Sequence, residues 1–215
     1  DFLMDSVNFF GPGCAEVLGE RCKILDLKKP LIVTDTFLEK MEDGPVEKCI
    51  NSLKAAGINY AIYNGVEPNP KVHNCHEGFE VYDKEKCDSI ITVGGGSAHD
   101  NGKGIGIVAT HEGELTSYAG IETLDKALPP ILAVNTTAGT GSEVTRHCVL
   151  TNLETKLKFV IVSWRNIPMV SFNDPLMMLE IPPALTAATG MDALTHAIES
   201  YVSVDANPVC DALAM

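Results

Sequence analysis

The chain has 215 residues, 45% of them hydrophobic, enough to bury a substantial core across one or two domains. A formal net charge of −13 argues against nucleic acid or an anionic membrane surface as a partner, because phosphate binding needs clustered Lys and Arg. No run of about 18 apolar residues offers a membrane span, and the opening DFLMDSVNFF has neither the basic start nor the small-residue cleavage site of a signal peptide.

Cys14, Cys22, Cys49, Cys75, Cys87, Cys148 and Cys210 are scattered, odd in number and free of any CxxC pair. That pattern suits thiols in a reducing cytoplasm better than a disulfide framework, so a cytoplasmic protein is expected. The sequence opens on Asp1 and stops at Met215 inside a helical pattern without a cap, and it reads as a fragment.

In chain order, residues 30–35 (PLIVTD) predict a short apolar strand ending on an acid. Helical spacing follows over 46–56, with Gly57 as its stop, and then a strand over 58–63 and a loop GVEPNP at 65–70. Residues 71–86 read as a helix and 89–93 as a third strand, which runs into GGGS at 94–97 and a helix to about 108. Further strands are expected at 131–134, 148–151, 159–162 and 169–172, with a hairpin turn at Asn152-Leu153-Glu154. The alternation of strands and helices predicts a parallel sheet covered on both faces. After the Pro-rich stretch 174–183 the composition turns to helix formers without strand alternation, which places a domain boundary near residue 180.

Four places carry candidate chemistry. The turn Gly94-Gly95-Gly96-Ser97 sits between a strand and a helix, where a backbone can approach a pyrophosphate and the helix N-terminus favours its charge. It is not a GxGxxG arrangement, and three glycines also suit a tight turn needing positive φ. Ser97 offers a hydroxyl, and Asp100 one turn later a carboxylate. The segment from Thr136 to Ser142 follows another strand and supplies Thr136, Thr137, Thr140 and Ser142 beside two glycines, although alone it equally suits a polar surface loop. Asp35 at a strand end would accept from ribose hydroxyls and repel a 2′-phosphate, favouring NAD over NADP; taken alone it reads as a helix N-cap.

Asp192 and His196 lie four residues apart in MDALTHAIE, so a helix puts both on one face, where they could reach one divalent cation or simply pair with each other. Glu199 follows on that face as a further polar or merely solvated group. Two ligands cannot complete a zinc or iron centre, so others are required. Of the remaining histidines, His99 is a weak candidate to approach cofactor phosphates, and the rest read as surface or core residues.

VTD at 33–35, GVEPNP at 65–70, GGGSAHD at 94–100, TTAGTGSEVT at 136–145, FNDP at 172–175 and AATGMDALTHAIE at 187–199 occur in one order along the whole chain. Together they closely resemble the iron-dependent (group III) alcohol dehydrogenases. The resemblance implies a dehydroquinate-synthase-like α/β fold. Its parts would be an NAD-binding parallel-sheet domain over 1–180 and the truncated start of an all-helical metal-binding domain over 181–215. It also implies that Asp35 contacts the adenosine ribose, that Asn69 belongs to a cofactor-side loop, and that Gly95, Gly96, Ser97 and Asp100 form the pyrophosphate and nicotinamide-side turn. Thr136, Thr137, Thr140 and Ser142 would form the second cofactor loop, Lys158 a basic group at the cofactor, and Asp192 and His196 the first two metal ligands.

Two further histidine ligands of such proteins lie on the following helical domain. Ala98 stands where a proline is common, which should loosen the turn slightly. The implied cofactors are NAD and Fe²⁺, with Zn²⁺ possible. The implied partner is a small alcohol or aldehyde, 3-hydroxypropanal reduced to 1,3-propanediol being favoured over other short-chain alcohols, lactaldehyde or glycerol. A homo-oligomer is expected of the full-length protein. The rival of another class is a nucleotide-binding module without catalysis, and the 215 residues alone are expected to be inactive.

Overall fold

The computed structural model describes residues 6–215, so the reading of the first ten residues lies partly outside the described residues. The first strand, β1 (Val7–Phe10), leads through a 3-10 turn into helix α1 (Leu18–Ile24). Strand β2 (Pro30–Val33) is followed by the short helix α2 (Thr36–Glu39) and by α3 (Pro45–Ala55), then β3 (Ala61–Tyr63) and α4 (Val72–Lys84). Strand β4 (Ser89–Gly94) feeds directly into α5 (Gly96–Thr110). The chain continues through β5 (Gly120–Ile121), β6 (Ile131–Asn135), β7 (His147–Asn152), β8 (Leu157–Val162) and β9 (Val170–Asn173) to helices α6 (Pro183–Val202) and α7 (Pro208–Ala214).

Six strands form one sheet in the order β1-β9-β6-β4-β2-β3, and every neighbouring pair is parallel. Strands β2, β4 and β6 are buried along their whole length, as expected of apolar runs covered on both sides. Their side chains alternate between two cores. Ile32, Ile91, Val93, Leu132 and Val134 pack with Leu18, Cys22, Val46 and Leu53 of α1 and α3. Leu31, Val33, Ile90 and Ile131 pack on the other side with Ala98 and Ile105 of α5, against which Phe79 and Tyr82 of α4 also lie.

The strands expected at 148–151 and 159–162 do not join the main sheet. They pair antiparallel as β7 and β8, with the tiny β5 parallel to β8, in a separate three-stranded sheet. Its inner residues Cys148, Leu150 and Ile161 pack on Cys75 and Ile107 of α4 and α5. The strand expected over 58–63 is shorter, because the chain spends Ile58 to Tyr60 leaving α3 and enters the ladder only at Ala61. The FNDP segment has a structural task. The buried Asp174 carboxylate accepts from the backbone amides of Gly13, Ala15 and Leu176, tying the end of β9 to the turn after β1.

The strand order creates one break in direction. From β2 the chain moves outward to β3 through α3 on one face, whereas from β4 it moves the other way to β6 through α5 on the opposite face. The carboxyl ends of β2 and β4 therefore open a crevice at a topological switch point, the place where open α/β sheets take ligands.

Candidate active site

A cleft of about 1310 Å³ lies at these strand ends. Asp35 follows β2 there, Gly95, Gly96, Ser97 and Asp100 follow β4, and Thr136, Thr137, Thr140 and Ser142 follow β6. Asn69 enters from the loop before α4, Lys158 from β8, and Asp192 and His196 from α6. These residues, drawn from separate parts of the sequence, thus line one cavity. Glu199 and His99 do not line it.

Asp35 is a helix cap that also borders the cleft. Its Oδ1 accepts from the amides of Phe37 and Leu38, at 2.8 and 2.9 Å, and so caps α2. The same side chain borders the cleft beside Phe37, Leu38 and Met41, apolar neighbours that sequence reading did not pick out.

The glycine turn departs from a simple phosphate cradle. Gly94 sits at φ 154, a backbone conformation that side chains rarely adopt. A Cβ on Gly95 would lie 2.7 Å from Thr137 Oγ1, and one on Gly96 2.8 Å from Thr140 Oγ1. The two glycines let the β4 turn and the threonine loop touch, so the two loops form one continuous wall. Gly95 caps α5 without a side-chain bond, which leaves the Gly96 and Ser97 amides of a 15-residue helix open to an anionic group.

The threonine loop is held from below. Thr136 N donates to Gly94 O, and Thr137 N to Asn135 Oδ1. Lys103, which sequence reading missed, is fully buried in α5, and its ammonium reaches Ser142 O, Ser142 Oγ, Thr145 O and His147 O at 2.7 to 3.0 Å. Ser142 Oγ in turn donates to Asp100 Oδ1 at 2.8 Å. Burial pushes the Asp100 carboxyl above the usual range, against the pull of Lys103 and of the Ser142 hydroxyl. Burial pushes Lys103 down, and Asp100 opposes that shift. No local signal marks Lys103: it lies seven residues after Gly96 in α5, a helix with no exposed residue, and only that burial distinguishes it from a solvated lysine.

The weak expectation that His99 approaches phosphates is corrected. It is buried on α5 where the helix meets β4, and its Nδ1 bonds Thr92 Oγ1 at 2.7 Å, while Nε2 has no partner among the described residues. Burial and the nearby Lys103 push its pKa down to about 3, so it is a neutral core residue.

On α6, Asp192 Oδ1 and His196 Nε2 stand 3.8 Å apart, and both side chains are about half exposed. That separation is less than two metal–ligand bonds of about 2.1 Å each, and a carboxylate oxygen with an imidazole nitrogen suits iron or zinc. The pair therefore fits as part of a ligand set. Among the described residues no group of three or more His, Cys, Asp or Glu side chains could hold a metal. Glu199, the third polar group considered on this helix, is exposed and lies outside the cleft lining. The helix meets the threonine loop where Gly139 faces Thr189; a Cβ there would sit 2.8 Å from Thr189 Cβ and 2.9 Å from its carbonyl oxygen.

Comparison with known proteins adds three findings. The profile described as "Iron-containing alcohol dehydrogenase" matches residues 6–175, and that of "Fe-containing alcohol dehydrogenase family, C-terminal" matches residues 186–215. A 1,3-propanediol dehydrogenase from Citrobacter freundii is 66% identical over all of this chain, which spans 56% of that protein's length. Among solved structures, a 1,3-propanediol oxidoreductase is 66% identical with a TM-score of 0.96, covering 100% of this chain and 56% of its own. A sulfoacetaldehyde reductase from Bifidobacterium kashiwanohense, in complex with NAD+, is 33% identical with a TM-score of 0.89 over the same shares. The chain therefore spans about half the length of the relatives it matches.

Proposed function

The chain belongs to the iron-containing alcohol dehydrogenase family, and from that premise we propose that the full-length protein is an NAD(H)- and iron-dependent dehydrogenase that reduces 3-hydroxypropanal to 1,3-propanediol. The observation that carries this reading is the convergence, in one cleft at the switch point of the sheet, of the glycine turn, the threonine loop, Asp35 and the Asp192–His196 pair. The substrate follows from the 66% identity to a 1,3-propanediol dehydrogenase. The reading divides the chain near residue 180, with the sheet domain carrying the dinucleotide and α6 beginning a helical domain that carries the metal. It places the protein in the cytoplasm as a homo-oligomer; all seven cysteines are free thiols, five of them buried, and no described helix is long and apolar enough to cross a membrane.

When bound, NADH supplies the hydride and iron the Lewis acidity that favours negative charge on the substrate oxygen. The chain's own residues do the positioning. Amides at the start of α5 and hydroxyls of Thr137 and Thr140 would receive the pyrophosphate, while Asp35 would accept from the adenosine ribose and repel a 2′-phosphate. Ser97 and Asp100 would belong to the nicotinamide-side turn and Lys158 would be a basic group at the cofactor, while Asp192 and His196 would hold the metal together with further ligands. Their shared cleft brings the reacting groups within reach of one another, the main contribution that orientation makes to a bimolecular step.

The test is metal-stripped full-length protein assayed by NADH oxidation. Restoration by Fe²⁺ above Zn²⁺, with 3-hydroxypropanal preferred to lactaldehyde and simple aldehydes, is expected, and the isolated 215 residues should give no turnover. Restoration by Zn²⁺ alone, another preferred aldehyde, or turnover by the isolated residues would contradict the proposal in metal, substrate or domain requirement respectively.

A further inference from the structure

The Lys103 side chain is wholly removed from solvent, and it does not line the cleft. Its cage consists of three carbonyl oxygens and one hydroxyl oxygen, all acceptors toward nitrogen. A neutral amine has two N–H groups and an ammonium three, so only the charged form approaches satisfying four acceptors. Because Ser142 Oγ accepts from Lys103, its single proton is free to go to Asp100 Oδ1. The chain of bonds has one consistent polarity, ammonium to hydroxyl to carboxylate, and it ends on a group that borders the cleft.

We propose that Lys103 is a positioning residue that acts through Ser142, holding Asp100 as an oriented carboxylate and pinning residues 142–147 against α5. The cofactor consequence rests on the reading of the cleft as an NAD site; the state of Asp100 does not. The charged and titratable groups around the pair are His99 from α5 itself, neutral in the core, Cys75 from α4, Cys148 and His147 from β7, Lys158 from β8 and Glu143 from the loop. Lys103 is the cation whose side chain is bonded into the relay, and Lys158 acts on Asp100 more weakly, from an exposed position. Without the ammonium, desolvation of Asp100 loses its main opponent and the carboxyl takes up a proton. It then changes from a pure acceptor to a partial donor toward any ligand hydroxyl.

The experiment compares full-length wild type with Lys103→Met, Ser142→Ala and the double variant Lys103→Met/Asp100→Asn. Infrared titration without ligand should give a protonated-carboxyl band near neutral pH in Lys103→Met, absent from wild type and from the double variant. NADH affinity, read by nicotinamide fluorescence, should fall about tenfold in Lys103→Met, equal to about 1.4 kcal/mol, and weaken further as pH falls. The double variant should lose that pH dependence. A folded Lys103→Met with no new carboxyl band and wild-type NADH affinity overturns the proposal. If Lys103→Met does not fold, Ser142→Ala decides, with a raised Asp100 titration in support and an unmoved one against. Should wild type itself fail to bind NADH, the cofactor reading falls, while the infrared titration still decides the relay.

Discussion

Asp35 has one oxygen committed to the protein and one without a protein donor among the described residues. Both capping amides go to Oδ1, so a ligand hydroxyl can be received without breaking the cap. Asp35→Asn separates the two roles, because Asn caps a helix about as well as Asp but carries no charge to repel a phosphate. We expect NADP use relative to NAD to rise about tenfold with thermal stability unchanged. An unaltered ratio of catalytic efficiencies would leave Asp35 as a cap only. His99 makes a residue-scale prediction of another kind. Its folded pKa of about 3 lies below its usual 6.5, so the unfolded chain binds the extra proton first as pH falls. The neutral ring therefore contributes stability that is present above about pH 6.5 and lost toward pH 3, by on the order of a few kcal/mol. Urea midpoints measured across that window should decline more steeply for wild type than for His99→Gln, and parallel declines would remove His99 from the account.

At the scale of elements, α5 is shaped by its glycines as much as by its apolar residues. A Cβ on Gly104 would lie 2.4 Å from Cys75 Sγ, in a fully buried contact between α5 and α4. Gly104→Ala is expected to cost about 1 to 3 kcal/mol by overpacking, and Cys75→Ala in the same chain should recover most of it. Urea unfolding of the two single variants and the double checks this, and purely additive losses would place the strain elsewhere. The same packing explains what was legible in the sequence. The strands around Leu31–Val33 and Ile90–Val93 were readable because burial on both faces demands unbroken apolar runs. Strand β1 (VNFF) was not, being an edge strand of four residues with two of them exposed. Helix α2 is one turn long, and its only local signal was the Asp35 cap. That β7 and β8 form their own sheet depends on contacts with Cys75 and Ile107, which no local pattern of either strand encodes.

Across the whole molecule, the site was legible where chemistry lies in short motifs and illegible where it depends on what lies behind them. The glycine turn, the threonine loop and the Asp192–His196 spacing could be picked out one at a time, since each is a local pattern. Lys103 could not, because a lysine in a helix reads as solvated until the fold buries it under the loop it anchors. Helix α6 packs on α7 and approaches the threonine loop where Gly139 meets Thr189, and it buries none of its own residues. On the proposed reading the cleft brings two separable functions together, a dinucleotide site built by the sheet and a metal site begun by α6. Metal content and NADH binding measured together on full-length His196→Ala test that division most directly. The account predicts loss of bound iron and of turnover with NADH fluorescence retained; an unchanged iron content would reduce Asp192 and His196 to an ordinary ion pair on a helix.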